Sequence, residues 1–444
     1  MKLLAGPMRK AMAAADSLTG KRFSLLVASS LVATTGIVAV GLSSAGGMSP
    51  MEAAAAKALL AEEGATVAAA PAPAPETSST SAPETGSSGE AASSGPLPAP
   101  APAPEPAPAP EPEAPEPPPA EPEAEPGPVQ HVFLVSVASP GYDASLGPAS
   151  QMPYLSGELS PQGLQLTNYS LLDTAPLPNA IAAVSGQPPN AATRENCAVY
   201  EEFASATANS RGVVSGDGCI YPVETLTLSD QFVGARLRWH GYFEGMTNEE
   251  GQPDTCVHPE PEAAEVPNPS GYSARLNPFV YFHSLLDLGD CSENDVPLDE
   301  LGKDLKKIDS TANFSYVSPT PCNAGFRGQC PEGTADGPAA ADAFLARVVP
   351  EILASPAYKK DGLLVVAFGA ADPDPAAPPP DPEKVGALLV SPLLAPGATD
   401  AASYDPYSLL RSVEDLFGLE PLGAAGGTKV RSFASAFTAG NGGD

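Results

Sequence analysis

VFLVSV, residues Val132–Val137, is a short apolar run between turn signals, and it sets the pattern for most of the chain that follows. Similar runs come later as NFSYVSP (Asn313–Pro319), GLLVVAF (Gly362–Phe368) and GALLVSP (Gly386–Pro392). Short, nearly continuous apolar runs are typical of buried strands in a mostly parallel sheet. Helix candidates alternate with these runs at Ala180–Ser185, Leu228–Arg238, Ala341–Ser355 and Ser408–Phe417. The alternation predicts an α/β fold, an α/β/α sandwich with a mostly parallel central sheet.

The first 42 residues predict a membrane anchor. Residues 1–22 are basic and are expected to form a cytoplasmic tail, and residues 23–42 (FSLLVASSLVATTGIVAVGL) carry no charge. About twenty apolar residues can cross a bilayer as a helix, and a basic flank stays on the cytoplasmic side. We therefore expect a single-pass protein of the cell membrane with its large C-terminal domain outside the cytoplasm. The alternative is a signal peptide cleaved after Ser43-Ser44-Ala45, which would leave a secreted protein.

Residues 43–128 predict a disordered linker that is rich in Ala, Pro and Glu. Residues 71–128 contain twenty prolines and ten glutamates but no Lys or Arg. Proline lacks the backbone donor and restricts the residue before it, so this stretch is expected to adopt extended polyproline II rather than helix or sheet. We interpret it as a spacer that could cross a cell wall, and the alternative is a disordered tail of no particular length.

The cysteine count and the net charge of residues 129–444 limit which functions this part of the chain can have. All six cysteines of the chain lie there, and an even number outside the cytoplasm favours disulfides over metal ligation. These residues carry 16 Lys and Arg against 39 Asp and Glu. So negative a surface argues against nucleic acid as a partner. It also repels anionic phosphate esters unless a local basic pocket or a cation compensates.

Seven segments of residues 129–440 form a recognisable series. They are HVFLVSVASPGYD (His131–Asp143), DTAPLPNAIAAVSG (Asp173–Gly186), NPFVYF (Asn277–Phe282), SPTPCNAGFRGQC (Ser318–Cys330), ADAFLARVVPEILASPAY (Ala341–Tyr358), GLLVVAFGAAD (Gly362–Asp372) and YDPYSLLRSVEDLFGLEPLGAA (Tyr404–Ala425). In this order they resemble the bacterial phosphoesterase family of acid phosphatases and phosphatidylcholine-type phospholipases C, within the alkaline-phosphatase-like superfamily. The resemblance implies the same α/β/α sandwich, a divalent metal and hydrolysis of phosphoric esters.

The reactive residues of that family are replaced in this sequence. The family's VMENxSYD, THPSLPNY, CNDxHDC, FDE and NHYSLLR phrases supply its metal ligands and nucleophile. The matching positions here are Ala138, Ser139, Thr174, Pro176, Ala324, Gly369, Ala370 and Pro406. A divalent metal needs several oxygen or nitrogen ligands converging on it, and most of these side chains supply none. The departures predict no bound metal or other cofactor, no catalytic residue and a catalytically inactive domain that acts as a binding or structural module.

A few polar residues of the family phrases survive. Tyr142 and Asp143 are expected to brace the first loop, as the resemblance implies, and Asn179 to cap the helix that follows it. Thr174 is the one hydroxyl left close to the lost nucleophile.

An active phosphoric-ester hydrolase with relocated metal ligands is the alternative function. Its candidate ligands are Asp372 and Asp374, in AADPDPAAPPPDPEK, and Asp405 beside Pro406. The sequence names no ligand or protein partner for the inactive module.

The cysteines are expected to pair with their neighbours in sequence. Six cysteines allow fifteen pairings, and this expectation rests on short loops and on the family's habit of closing the last one. The predicted disulfides are Cys197–Cys219, Cys256–Cys291 and Cys322–Cys330.

Overall fold

The computed structural model describes residues 128–372 and 384–438. The predicted anchor at 23–42, nearly all of the linker, and Asp374 lie outside these residues. Within the two described ranges, no helix is long and apolar enough to span a membrane.

Ten strands are present in the described residues. In chain order they are β1 His131–Ser139, β2 Leu164–Leu166, β3 Thr207–Ala208, β4 Val214–Ser215, β5 Trp239–Phe243, β6 Asp295–Pro297, β7 Phe314–Ser318, β8 Gly362–Ala371, β9 Ala387–Val390 and β10 Ala398–Asp400. All except β3 and β4, which form a small hairpin, belong to one sheet with the order β10-β2-β9-β8-β1-β7-β5-β6.

Twelve α-helical segments accompany these strands in the same ranges. They are α1 Tyr142–Ser145, α2 Pro176–Ser185, α3 Ala191–Arg194, α4 Leu228–Gly234, α5 His283–Leu286, α6 Asp290–Asn294, α7 Leu301–Asp304, α8 Pro321–Ala324, α9 Pro338–Ala354, α10 Pro356–Asp361, α11 Pro406–Phe417 and α12 Ser435–Thr438. Short 3₁₀ turns lie at Ser160–Gln162, Ala274–Leu276, Pro278–Tyr281, Leu298–Glu300 and Gly423–Gly426, and a π-helical turn at Tyr154–Leu159.

The sheet confirms the predicted mixed α/β class with a large, mostly parallel sheet. Strand β1 lies between β8 and β7 and is parallel to both, with Leu134 opposite Val365 on one side and Tyr316 on the other. Strands β5 and β6 continue the parallel part. Strand β9, the GALLVSP run, is antiparallel to both β8 and β2. An apolar run predicts burial but not direction, which is why this strand could not be oriented from sequence.

The two long central strands end at one edge of the sheet. The register between β1 and β8 shifts between Val137 and Ala138, so that Ala138 lies opposite Ala370 and Ser139 opposite Ala371. A bulge of this kind re-aims the side chains at a strand end. Positions that are more than 200 residues apart in sequence therefore become neighbours.

All four predicted helices differ from the structure at a boundary, and the difference is largest in two of them. Helix α2 begins at Pro176, four residues earlier than expected, because prolines are tolerated in the first turn of a helix. Helix α4 ends at Gly234 rather than at Arg238. Glycine is a poor helix former, and Arg236 has a left-handed φ of 59°, which no helix can continue.

Three disulfides join neighbouring cysteines, as predicted. They are Cys197–Cys219, Cys256–Cys291 and Cys322–Cys330. No free cysteine is left among the described residues. The third bridge closes the loop between α8 and α9, and this loop carries part of the site described next.

Candidate functional site

The replaced positions come together at the carboxyl edge of the sheet. Pro176, Ala324, Gly369 and Ala370 line one small void, and Gly369 also lines a second void with Pro406. The carboxyl ends of parallel strands are where α/β folds place their sites. The structure therefore brings five of the eight replaced positions to these two voids.

The two voids are nearly filled. Their volumes are about 10 Å³ and about 20 Å³, the first close to the space that one water needs and the second little larger. Their walls are mostly apolar, and the hydroxyl groups of Ser136 and Tyr316 are among the few polar groups that reach them. Burial raises the pKa of Tyr316 to about 12, so this phenol stays protonated. Among the described residues, no carboxylate or histidine lines either void.

A metal would have to be held elsewhere, and the described residues offer one cluster. Cys256, Cys291 and Asp295 place three potential ligand atoms within 4.8 Å of one another. However, the two sulfurs are joined in a disulfide and cannot act as thiolate ligands.

The surviving hydroxyls are not activated. Ser139 is fully buried, and its Oγ accepts a hydrogen bond of 3.0 Å from the amide of Gly141. Thr174 lies exposed at the mouth of the site, where its carbonyl accepts from the amide of Ala371 at 3.1 Å. In the described part of the chain, no base contacts the hydroxyl of Thr174. A hydroxyl nucleophile needs a base or a metal to activate it.

The N-terminus of α2, where the family carries its nucleophile, has no free backbone donor. The first four amides of a helix lack partners within the helix and can bind anions. Here Pro176 and Pro178 have no N–H, and the amide of Ala175 donates to Asp173 Oδ1 at 3.0 Å. The amide of Leu177 donates to Asn196 Oδ1 at 3.2 Å. This helix end therefore cannot hold a phosphoryl oxygen.

Asn179 braces the loop before α2 and does not cap a helix. It lies inside α2, whose N-cap is Ala175, so the predicted capping role is wrong. Its Oδ1 accepts from the amides of Leu172 at 2.8 Å and Asp173 at 3.4 Å. Its Nδ2 donates to the carbonyls of Asp173 and Ala175, both at 2.7 Å. The side chain is 2% exposed and fully used by the loop.

Tyr142 faces away from the emptied positions. Its hydroxyl donates to Gln165 Oε1 at 3.1 Å, and its ring packs against Gly386 and lies 5.6 Å from Lys384 Nζ. A side chain at Gly386 would sit 2.7 Å from the ring. Asp143 is exposed in α1. The contacts of Tyr142 fit the bracing role that the resemblance implied, and for Asp143 that role stays a prediction.

Two of the three carboxylates of the relocated-site alternative, Asp372 and Asp405, are already engaged. Asp372 pairs with Arg327 at 2.9 Å and accepts from the amide of Arg327 at 3.0 Å. Asp405 is the N-cap of α11 and accepts from the amide of Ser408 at 2.8 Å and from its hydroxyl at 3.0 Å. A carboxylate that caps a helix is not free to bind a metal without losing the cap.

An open cavity of about 350 Å³ lies above the emptied positions. Its lining residues are Thr174, Ala175, Pro176, Asn196, Arg275, Pro321, Phe326, Arg327, Gln329 and Asp372. Sequence reasoning singled out none of Asn196, Arg275 or Gln329. The one available signal was Arg327, a cation within the loop where the family has acidic residues and a histidine.

Two comparisons of the sequence with known proteins give different results. The model of the Phosphoesterase family matches residues 167–420. No protein with a curated description matches the sequence significantly.

Solved structures similar to this chain include three hydrolase-type proteins. A member of the alkaline phosphatase superfamily from Vibrio parahaemolyticus is 14% identical, with 66% of this chain and 68% of that chain covered and a TM-score of 0.41. A sulfatase from Pseudoalteromonas sp. is 10% identical (66% and 68% covered, TM-score 0.38). A phosphonate monoester hydrolase from Silicibacter pomeroyi is 12% identical (70% and 77% covered, TM-score 0.39). These likenesses do not bear on what this chain does.

Proposed function

Since this chain belongs to the phosphoesterase family, we propose that it is a member that keeps the family scaffold without the family reaction and acts as a binding module. The observation that carries the proposal is the filled metal site. Apolar residues and glycine occupy most of the positions that match the family's ligands, and the voids among them measure about 10 and 20 Å³. The scaffold is the α/β/α sandwich of alkaline-phosphatase-like proteins.

The energetics support the loss of catalysis. Enzymes that cleave such esters lower the barrier by more than about 8 kcal/mol relative to water. A metal supplies much of that stabilisation by polarising the phosphoryl oxygen and generating the nucleophile. Backbone donors at a helix N-terminus are the other common source, and the first turn of α2 has none free.

The binding role rests on the cavity of about 350 Å³ at the same edge. Ligand sites are commonly clefts of about 300–1,000 Å³ with a few convergent polar groups. This cavity is open to solvent and combines apolar walls with side-chain donors. It is the part of the former active site that was not filled.

We also propose that the domain is displayed outside the cell membrane by the anchor at 23–42 and the linker at 43–128. The three disulfides support an oxidising compartment. The acidic surface of the domain supports a partner other than nucleic acid.

Catalysis is tested with a generic nitrophenyl phosphate and a nitrophenyl phosphodiester, from acid to alkaline pH, with added Zn²⁺, Mg²⁺, Ca²⁺ or Mn²⁺. We expect no turnover above a blank for the unmodified chain. Thr174→Ala removes the hydroxyl at the cavity mouth, and Thr334→Ala, in an exposed turn, is the matched control. Metal-stimulated turnover that Thr174→Ala abolishes and Thr334→Ala retains would establish the relocated-site hydrolase instead.

Topology is tested by adding protease to intact cells. The domain should be shaved off by cleavage in the linker, beyond about Glu52. A domain that is protected until the cells are lysed contradicts the proposed display.

A further inference from the structure

Arg275 lines the cavity, and its guanidinium has no direct ion pair among the described residues. Its Nε donates to Ser273 Oγ at 3.0 Å, and Ser273 Oγ donates to Glu265 Oε1 at 2.6 Å. This relay fixes the orientation of the guanidinium plane. Among the described residues, neither terminal nitrogen of Arg275 has an acceptor, and no carboxylate forms an ion pair with it.

We propose that this cavity binds a small organic oxyanion through Arg275, without a metal. The ligand class is an aromatic or otherwise apolar body that carries one carboxylate, sulfonate, phosphonate or phosphate group. A guanidinium matches the planar or forked geometry of such groups and binds them with two parallel hydrogen bonds. The inference rests on the proposed function, because a divalent metal would otherwise be the anion-binding group.

Further donors surround the same space. Asn196 has a left-handed φ of 56°, which asparagine tolerates, and its Oδ1 is occupied by the amide of Leu177. That assignment leaves Nδ2 as the free end of the amide, and Nδ2 can only donate. The hydroxyl of Thr174 and the amide of Gln329 also line the cavity without partners in the described part of the chain. Each of these three groups can donate a hydrogen bond to an oxyanion, and the hydroxyl of Thr174 and Oε1 of Gln329 can also accept one.

The charge balance favours an anion. Among the described residues, Asp372 is the one carboxylate on the cavity wall, and its ion pair with Arg327 neutralises it. The described lining residues then carry a formal charge of +1, from Arg275, on a chain whose formal net charge is −31, and the carboxylate of Glu265 lies behind Arg275 across the hydroxyl of Ser273. A local positive site on so acidic a protein attracts anions at short range while the rest of the surface repels them.

The apolar lining of the cavity favours a ligand whose non-anionic part is apolar. Pro176, Pro321 and Phe326 provide apolar surface beside the donors. Phe326 is partly exposed and offers a ring on which a flat apolar group can stack. A volume of about 350 Å³ suits a single ring with a headgroup.

The test measures binding by titration calorimetry in the presence of a chelator. Benzoate, benzenesulfonate and phenylphosphonate are the probes, and neutral benzamide is the matched uncharged compound. We expect at least one anion to bind, benzamide not to bind, and added salt to weaken the binding because it screens the charge. Which anion binds best identifies the headgroup.

The variant Arg275→Gln removes the guanidinium and keeps a polar side chain. A charged hydrogen bond at this site predicts that the affinity falls by about ten- to a hundredfold. Arg275→Lys keeps the positive charge but loses the planar pair of N–H donors, and we expect an intermediate loss of affinity. Arg431→Gln, at an exposed position, is the control and should leave the affinity within about twofold of the parent.

Three results would overturn the inference. One is that no probe binds, and another is that Arg275→Gln binds the anion as tightly as the parent. In both cases the proposed inactive module stands if hydrolysis is also absent. The third is binding that requires a divalent metal and disappears with chelator, which would defeat the proposed function as well.

Discussion

Replacing Asn179 by Ala should weaken the fold without touching any chemistry. The substitution removes a side chain that is 2% exposed and that makes four hydrogen bonds to the loop before α2. The carbonyl of Ala175 keeps its amide partner within the helix. The amide of Leu172 and the carbonyl of Asp173 lose well-formed bonds of 2.8 and 2.7 Å and have no other protein partner among the described residues.

Each buried backbone group left without a partner costs about 1–3 kcal/mol. Partial exposure of the loop lets water recover some of this energy. We therefore expect the free energy of unfolding to fall by about 2–4 kcal/mol.

Urea denaturation measures this change. Trp239 is the single tryptophan of the chain and is buried, so its fluorescence reports unfolding of the domain. Asn209→Ala is the matched control, because Asn209 Oδ1 also accepts two backbone amides, but in an exposed turn. The control should lose less than about 1 kcal/mol. A loss for Asn179→Ala no larger than that of the control would refute the bracing role.

Two further perturbations follow from buried positions. Burial raises the pKa of Glu414 to about 8 in the folded state. The pKa of this group is lower in the unfolded chain, so the folded state keeps the proton up to a higher pH. The free energy of unfolding should therefore fall as pH rises from about 5 to 8. Glu414→Gln should flatten that fall, and equal pH dependence of the variant and the parent in urea titrations would contradict the assignment. Gly369→Asp restores a family ligand but places a Cβ 2.5 Å from Ser136 Oγ and a carboxylate in a small void, so unfolding should become easier by about 2–5 kcal/mol. The double variant with Ser136→Gly should recover the steric part of this loss, and a fully stable single variant would show that the site is not closed.

The sequence predicted the two strands that end at the site, because each strand is indicated by a local apolar run. The apolar runs at Val132–Val137 and Gly362–Phe368 indicate buried parallel strands, and parallel strands end at one edge. The amino-acid sequence alone therefore brings Ala138 and Gly369 to the same edge of the sheet. The cap at Asp405 was not predicted, although Asp followed by Pro is a common helix start.

Other features depend on contacts between distant segments. Asn196 accepts the hydrogen bond of the Leu177 amide at the start of α2, and nothing in the sequence near either residue indicates that contact. Arg275 faces the cavity because its 3₁₀ turn packs against α2. The direction of Ala387–Val390 is set by pairing with two neighbours, which an apolar run does not encode.

The metal content of the purified chain tests the central claim most directly. The protein is loaded separately with Zn²⁺, Ca²⁺, Mg²⁺ and Mn²⁺, dialysed against metal-free buffer and measured by plasma mass spectrometry. With Gly369, Ala370 and Ala324 in place of ligands, we expect far less than one ion per chain to be retained. Retention of one or more ions per chain, with hydrolysis that a chelator abolishes, would contradict the account.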